Sequence, residues 1–216
     1  MKKLVLFGAG GFGREVAGIL IRNINLKNPT YELLGFIDDG EQYHEGVMID
    51  GYPWLGRRDW IIAHKEDVFC TCTVGDAKAK AVIQRELTDQ GVRFETIIAK
   101  TAYIASSAEI GPGCVLYGSA TVSVNCRIGA GVLLNDSVCL GHDVVIGDYT
   151  SIMSGTGISG CCTIGSEVEI GGHAFIIPGK KVGDRAHIAA GSIVFSNVKA
   201  GTTVLGNPAK RFRAIE

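Results

Sequence analysis

No block of like charge interrupts this 216-residue chain, and its formal net charge is −1. Nucleic-acid binding as a main task needs a basic patch or stripe, so that class is set aside. Nor does any stretch approach the roughly 20 consecutive apolar residues of a membrane span. The start, MKKLVLFGAGG, has an apolar run that breaks into glycines at once, too short for a secretory leader. It reads as a strand of the mature protein, and the expectation is a soluble, cytoplasmic chain with no membrane or nucleic-acid partner. The seven cysteines include no CxxC pair, the usual spacing of a structural zinc site or a dithiol redox centre. No metal is expected. Cys114, Cys126 and Cys162 fall at a recurring small-residue position, which is a packing role.

What the chain does contain divides it in two. Residues 1–99 alternate strand and helix patterns. KKLVLFGAG reads as a buried strand, and GREVAGILIRNI has helical apolar spacing at Val16, Ile19, Leu20 and Ile24. YELLGFIDD is a second strand, residues 40–60 are mostly loop with GYPWLG as a turn, and DVFCTCTVG is a third strand. DAKAKAVIQRELTDQG is a helix with Asp76 as N-cap and Gly91 just past its end. VRFETIIA is a short fourth strand. This order predicts a small parallel sheet in a Rossmann-like βαβ domain.

From Ile104 to Val194 an aliphatic residue recurs every six positions, sixteen times without a slip. A small or β-branched residue follows four positions later almost every time, as at Ala108, Ala120, Val132, Val144, Thr156 and Val168. A six-residue repeat is the pattern of a β-helix. Each hexapeptide supplies one short strand and a turn, three make a triangular coil, and the aliphatic and small positions face inward. Stacked coils satisfy each other's backbone groups. Residues 100–216 are therefore expected to be an all-β parallel β-helix ending in a basic tail. Lys180 is the one charge at a small inward position, where a local distortion or a snorkelling side chain is expected.

Two features stand out as chemistry. His142-Asp143 follows the inward Leu140 by two residues, near a turn or the outer face. A histidine there is either solvent-exposed and idle or a general base, imidazole being the side chain that titrates near neutrality. A following acid can orient the ring, although neighbours on a flat strand point to opposite faces. The second feature is Gly8-x-Gly10-x-x-Gly13 between a strand and a helix, with Asp38 and Asp39 ending the next strand. Alone this suggests a dinucleotide. The hundred or so residues before the coil are too few for a full dinucleotide fold, and half of one suits a mononucleotide.

Taken together, FGAGGFGREV, GFIDD and TVGD followed by the hexapeptides and GNPAKRFR resemble the left-handed β-helix acyltransferases, and within them the sugar acetyltransferases of PglD and NeuD type. The resemblance covers essentially the whole chain. It implies a left-handed coil, a homotrimer, acetyl-CoA as co-substrate and a nucleotide-sugar acceptor bound by residues 1–99. It implies His142 as base with Asp143 in place of a more common glutamate, and the Gly160 N–H as oxyanion donor. Ser151 stands where some members carry a second histidine on acetyl-CoA. Gly172 and Ala190 would contact pantetheine, and Lys210, Arg211 and Arg213 the phosphates. Gly10, Gly11 and Phe12 (a histidine in many members) would approach the sugar diphosphate, Asp38 and Asp39 the base or ribose, Gly75 and Lys78 the rest of that pocket, and Asn135 the acceptor sugar. UDP-4-amino-4,6-dideoxy-GlcNAc is the first expected acceptor. A sugar hydroxyl such as that of sialic acid is the alternative reaction, and a non-catalytic nucleotide-sugar-binding scaffold the alternative of another class.

Overall fold

The computed structural model describes residues 1–21 and 31–212. Ile24 of the expected first helix and Arg213 of the expected phosphate contacts lie outside these. Strand β1 (Lys2–Phe7), helix α1 (Gly11–Ile21) and strand β2 (Tyr31–Ile37) open a parallel sheet. Its third glycine explains the motif: a Cβ on Gly13 would overlap the Gly8 carbonyl oxygen, so only glycine lets α1 sit this close to the loop after β1. Thr73 Oγ1 then donates to both the Phe7 and Gly8 carbonyls, at 3.1 and 2.8 Å, pinning that loop from the far side.

Two sequence expectations fail in the next stretch. GYPWLG is not a turn: the turn is at Asp50-Gly51, both at positive φ, and it joins β3 (Met48–Ile49) to β4 (Tyr52–Gly56). β4 then pairs parallel with β2, with Trp54 beside Phe36. A short helix α2 (Arg58–His64), unmarked in the sequence reading, follows. Strand β5 (Phe69–Cys72) completes the sheet in the order β3-β4-β2-β1-β5. Helix α3 (Ala77–Asp89) begins where expected, Asp76 Oδ1 accepting from the Ala79 N–H at 2.6 Å. The last expected strand shrinks to β6 (Ile97–Ile98), which pairs with Val115–Leu116 of the coil; only Phe94 bridges back, to Cys70.

The remainder is a left-handed β-helix of two-residue strands. Three parallel sheets form its faces. The first face runs from β6 through Leu133–Leu134 and Ser151–Ile152 to the C-terminal strands, the second from Tyr103–Ile104 to Ile193–Val194, and the third from Glu109–Ile110 to Lys181–Val182. Residues eighteen apart are stacked, Cys139 opposite Gly157 and Gly157 in turn opposite Phe175. The aliphatic column from Leu116 to Val204 is buried as the six-residue period predicts; each such side chain contributes roughly 1.5–3 kcal/mol. Lys180 is half-buried at its inward position, yet its carbonyl still accepts from the Thr163 N–H at 2.9 Å, so the ladder is intact there. The side chain therefore snorkels rather than breaking the coil.

The βαβ domain covers the first face. Val115 and Leu133, outward on the coil, enter a core with Leu4, Leu6 and Phe36. Helix α3 presents a stripe at i, i+3 and i+7 to the same side. The Ala77 N–H donates to Glu169 Oε1, Lys80 Nζ to Ser151 Oγ at 2.7 Å and to the Thr150 carbonyl at 3.3 Å, and Gln84 Nε2 to the Gly113 carbonyl at 3.5 Å. At the rim Arg85 pairs with Glu167 and lies over the Tyr149 ring at 4.7 Å. Lys80 is 1% exposed, and burial pushes its pKa down to about 8.

That burial has a signed consequence. Below pH about 8 the folded and unfolded chains both carry the Lys80 proton, and the cost of burying the charge is complete. Between about 8 and 10.5 only the unfolded chain keeps it, so this residue's contribution to stability rises with pH. Lys80→Met removes the penalty. Its stability relative to wild type is expected to fall by roughly 2 to 3 kcal/mol between pH about 7.5 and about 10, read from urea unfolding at both. An unchanged difference would mean that the ammonium is not held dry.

Candidate active site

His142 and Asp143 occupy the turn between the second and third faces, after Cys139–Leu140 and before Val145–Ile146. Opposite pointing on a flat strand does not apply to them, because Asp143 is left-handed at φ 59° and swings its carboxylate alongside the preceding ring. His142 Nδ1 lies 2.7 Å from Asp143 Oδ2. The other oxygen, Oδ1, accepts from Asn125 Nδ2 at 3.2 Å. Hydrogen bonds from His142 first, and from Asn125, hold the Asp143 carboxyl below the usual carboxylate range. Both side chains are about half exposed, so the pair is open to a ligand.

The other ring nitrogen points to the next coil. A Cβ built on Gly160 would stand 2.5 Å from His142 Nε2, so the imidazole edge lies directly over that glycine. The Gly160 carbonyl accepts from the Gly179 N–H at 3.0 Å, whereas among the described residues its own N–H has no acceptor. With the proton on Nδ1 directed at Asp143, Nε2 carries a lone pair beside a free backbone donor. The sequence reading missed two neighbours. Asn125, Asp143 and Cys161 form one row, each eighteen residues after the last and each at positive φ. Cys161 Sγ lies 3.9 Å from His142 Nδ1. Counting eighteen in either direction from Asp143 would have found both.

The other expected residues fall in separate places. Gly10 and Gly11 are at the open start of α1, with no atom within 4 Å of where a Cβ would stand. Phe12 packs edge-on to Tyr117 at 5.9 Å, which sets the glycine loop against the corner between the first and second faces. Asn135, half-buried, lies at that corner with its Oδ1 accepting from the Asp136 N–H, and Gly75 faces Met153 one coil on. Gly172 and Ala190 continue the same corner. Asp38 accepts from the Ala9 and Gly40 N–H groups, both at 2.8 Å, and Asp39 takes an ion pair and a backbone N–H from Arg58. Both acids thus tie the domain's own loops. Lys78 is exposed on α3, and Lys210 and Arg211 are exposed on a strand antiparallel to Thr203–Leu205. Ser151 is a correction: it is fully buried under α3 with its Oγ held by Lys80, so it is not a surface for a cofactor. Within one chain, the Asn135 corner and the His142 corner are different edges of the prism.

Residues 3–87 match the PglD N-terminal domain, and residues 143–178 the bacterial transferase hexapeptide (six repeats). The acetyltransferase domain of PglB from Neisseria gonorrhoeae FA1090 superposes with a TM-score of 0.86 at 27% identity, over 98% of this chain and 100% of that one. WeeI from Acinetobacter baumannii AYE gives 0.86 at 28%, over 98% and 100%. The chain is homologous to these PglD-type hexapeptide acyltransferases along its whole length. Among curated relatives, the GDP-perosamine N-acetyltransferase of Escherichia coli O157:H7 is 28% identical over 96% of this chain and 95% of its own length. The Neisseria domain is also known in complex with acetyl coenzyme A, at TM-score 0.85 and 28% identity.

If Gly160 is there to make room for the imidazole, Gly160→Ala displaces the ring and little else. Its φ is ordinary, and the clashing atoms are the far end of a flexible side chain. The expected crystal structure shows His142 rotated off Asp143, with the urea midpoint costing no more than about 1 kcal/mol. A retained 2.7 Å contact in the variant would refute the role given to this glycine.

Proposed function

We propose that this protein transfers the acetyl group of acetyl-CoA to the amine of a nucleotide-linked amino sugar, with His142 as the general base. The observation that carries the reading is the juxtaposition at one corner: Nδ1 held by Asp143, Nε2 open, and the Gly160 N–H beside it. The likeness to acetyltransferases of nucleotide-linked amino sugars and to an acetyl-CoA-bound domain supports the substrate classes.

The chemistry follows from those atoms. Nε2 removes the proton from the amine as its nitrogen attacks the thioester carbonyl. Asp143 keeps the Nδ1–H tautomer in place and stabilises the imidazolium that forms. The developing oxyanion accepts from the Gly160 N–H, a preorganised donor worth a few kcal/mol in the transition state. Collapse expels the CoA thiolate, a good leaving group, so no separate acid is required. UDP-4-amino-4,6-dideoxy-GlcNAc remains the first candidate acceptor, with the GDP-linked amino sugar of the Escherichia coli relative beside it. Gly10, Gly11 and Phe12 with Asn135 would bind it at their shared corner. Asp38 and Asp39 contribute through the loops they tie.

Since that corner and His142 lie on different edges, a neighbouring copy is needed to join them. A homotrimer does this with one heterologous contact repeated around a closed ring. Exposed Tyr103 and Phe175 on the second face, between the two edges, offer apolar surface for it.

The test is free-thiol release from acetyl-CoA with a panel of UDP-, GDP- and dTDP-linked amino sugars, with free sialic acid as the hydroxyl control. Release with one nucleotide-linked amino sugar is expected; release with sialic acid alone would transfer the assignment to O-acetylation. His142→Ala is expected to lower kcat by about 10²–10⁴-fold. Asp143→Asn should cost less, about 10–10²-fold, because an exposed carboxylate is partly replaced by water. Near wild-type turnover in His142→Ala would remove the base from the mechanism.

A further inference from the structure

Five of the seven cysteines are buried, and two, Cys139 and Cys161, are exposed. Cys161 has companions. Among the described residues one group of three metal-ligating side chains occurs, His142, Asp143 and Cys161, whose ligand atoms all lie within 4.8 Å of one another. Two of its edges are 2.7 Å (Nδ1 to Oδ2) and 3.9 Å (Nδ1 to Sγ). A tetrahedral zinc ion with ordinary bond lengths needs edges of about 3.3 to 3.7 Å between such donors. Opening the first by about half an ångström and closing the second by a few tenths requires only side-chain rotation at an exposed turn.

We infer that His142 Nδ1, Asp143 and Cys161 form a binding site for a thiophilic divalent cation of the zinc class, and that its occupation switches off the base. The ligand set is thiolate, imidazole and carboxylate, which favours zinc over magnesium or calcium, and three protein ligands leave a fourth position to water. The proton balance explains the effect. Cys161 releases its thiol proton to solvent on binding the ion. Neutral imidazole carries one proton, and a metal on Nδ1 forces it onto Nε2. The nitrogen over Gly160 then has no lone pair to accept a substrate proton. The inhibition part of the inference rests on the reading of His142 as base; the site itself does not.

Chelator-treated protein titrated with Co²⁺ tests the site without any acetyl transfer. A thiolate-to-cobalt charge-transfer band is expected in wild type and in Cys139→Ser, displaced by Zn²⁺, and lost in Cys161→Ser. No band in wild type, or an equal band in Cys161→Ser, overturns the site. Nitrogen-resolved NMR of the zinc-loaded protein should show the His142 proton on Nε2; a proton still on Nδ1 overturns the switch. In the thiol-release assay, saturating Zn²⁺ should lower wild-type turnover at least about tenfold, reversibly with chelator, while Cys161→Ser keeps its own zinc-free rate. Undiminished wild-type turnover at full occupancy also overturns the switch. If no acceptor is acetylated but the cobalt band appears, the site stands and the proposed activity falls.

Discussion

Every other feature leans on the backbone register between successive coils. Each coil donates to the carbonyls of the next, as Cys139 N–H to Thr156 and Gly141 N–H to Ile158, and this fixes residue i beneath residue i+18. The aliphatic column exists because that register repeats without a slip. So does the candidate site: His142 meets Gly160 since the two are one storey apart at one corner, and Asp143 is flanked above and below by Cys161 and Asn125 for the same reason. No residue at this site is placed by a helix or a long loop. Rigidity of the coil substitutes for the supporting shell that binding loops usually need.

The second constraint is the join between the halves. A βαβ unit with five strands and a coil with one bare face would each leave apolar surface in water; docked, Val115 and Leu133 finish the core of Leu4, Leu6 and Phe36. Helix α3 then adds polar contacts along one stripe, including the dry ammonium of Lys80. A buried charge of this kind adds little to net stability. What it supplies is position: its hydrogen bonds to Ser151 and Thr150 leave one seating of α3 on the coil, and with it one placement of the glycine loop against Tyr117.

The coil was legible in the sequence because its signal is local and repeated: six-residue spacing names inward positions one by one. The βαβ order and the Asp76 cap were legible for similar reasons. What failed was non-local. Tyr52–Gly56 resembled a turn because of Pro53 and its flanking glycines, and only pairing with β2 makes it a strand. Ser151 was assigned from the resemblance, which matches a position in the coil but does not say what covers that face in this chain. A hint existed: the outward positions Val115 and Leu133, eighteen apart, are both apolar, a patch too greasy for solvent. The His142–Asp143 contact was doubted on strand geometry, since the left-handed conformation that makes it is not written in an aspartate.

The triangular cross-section turns residue count into compass bearing. Eighteen residues inserted at a turn outside residues 142–160 add one storey and leave each functional group above its old neighbour. Six inserted between His142 and Gly160 would move everything downstream by a third of a revolution, carrying the histidine and its glycine to different edges while the hydrophobic column closed up unharmed. Length variation in such a scaffold is therefore quantised for chemistry at three times the unit that suffices for folding.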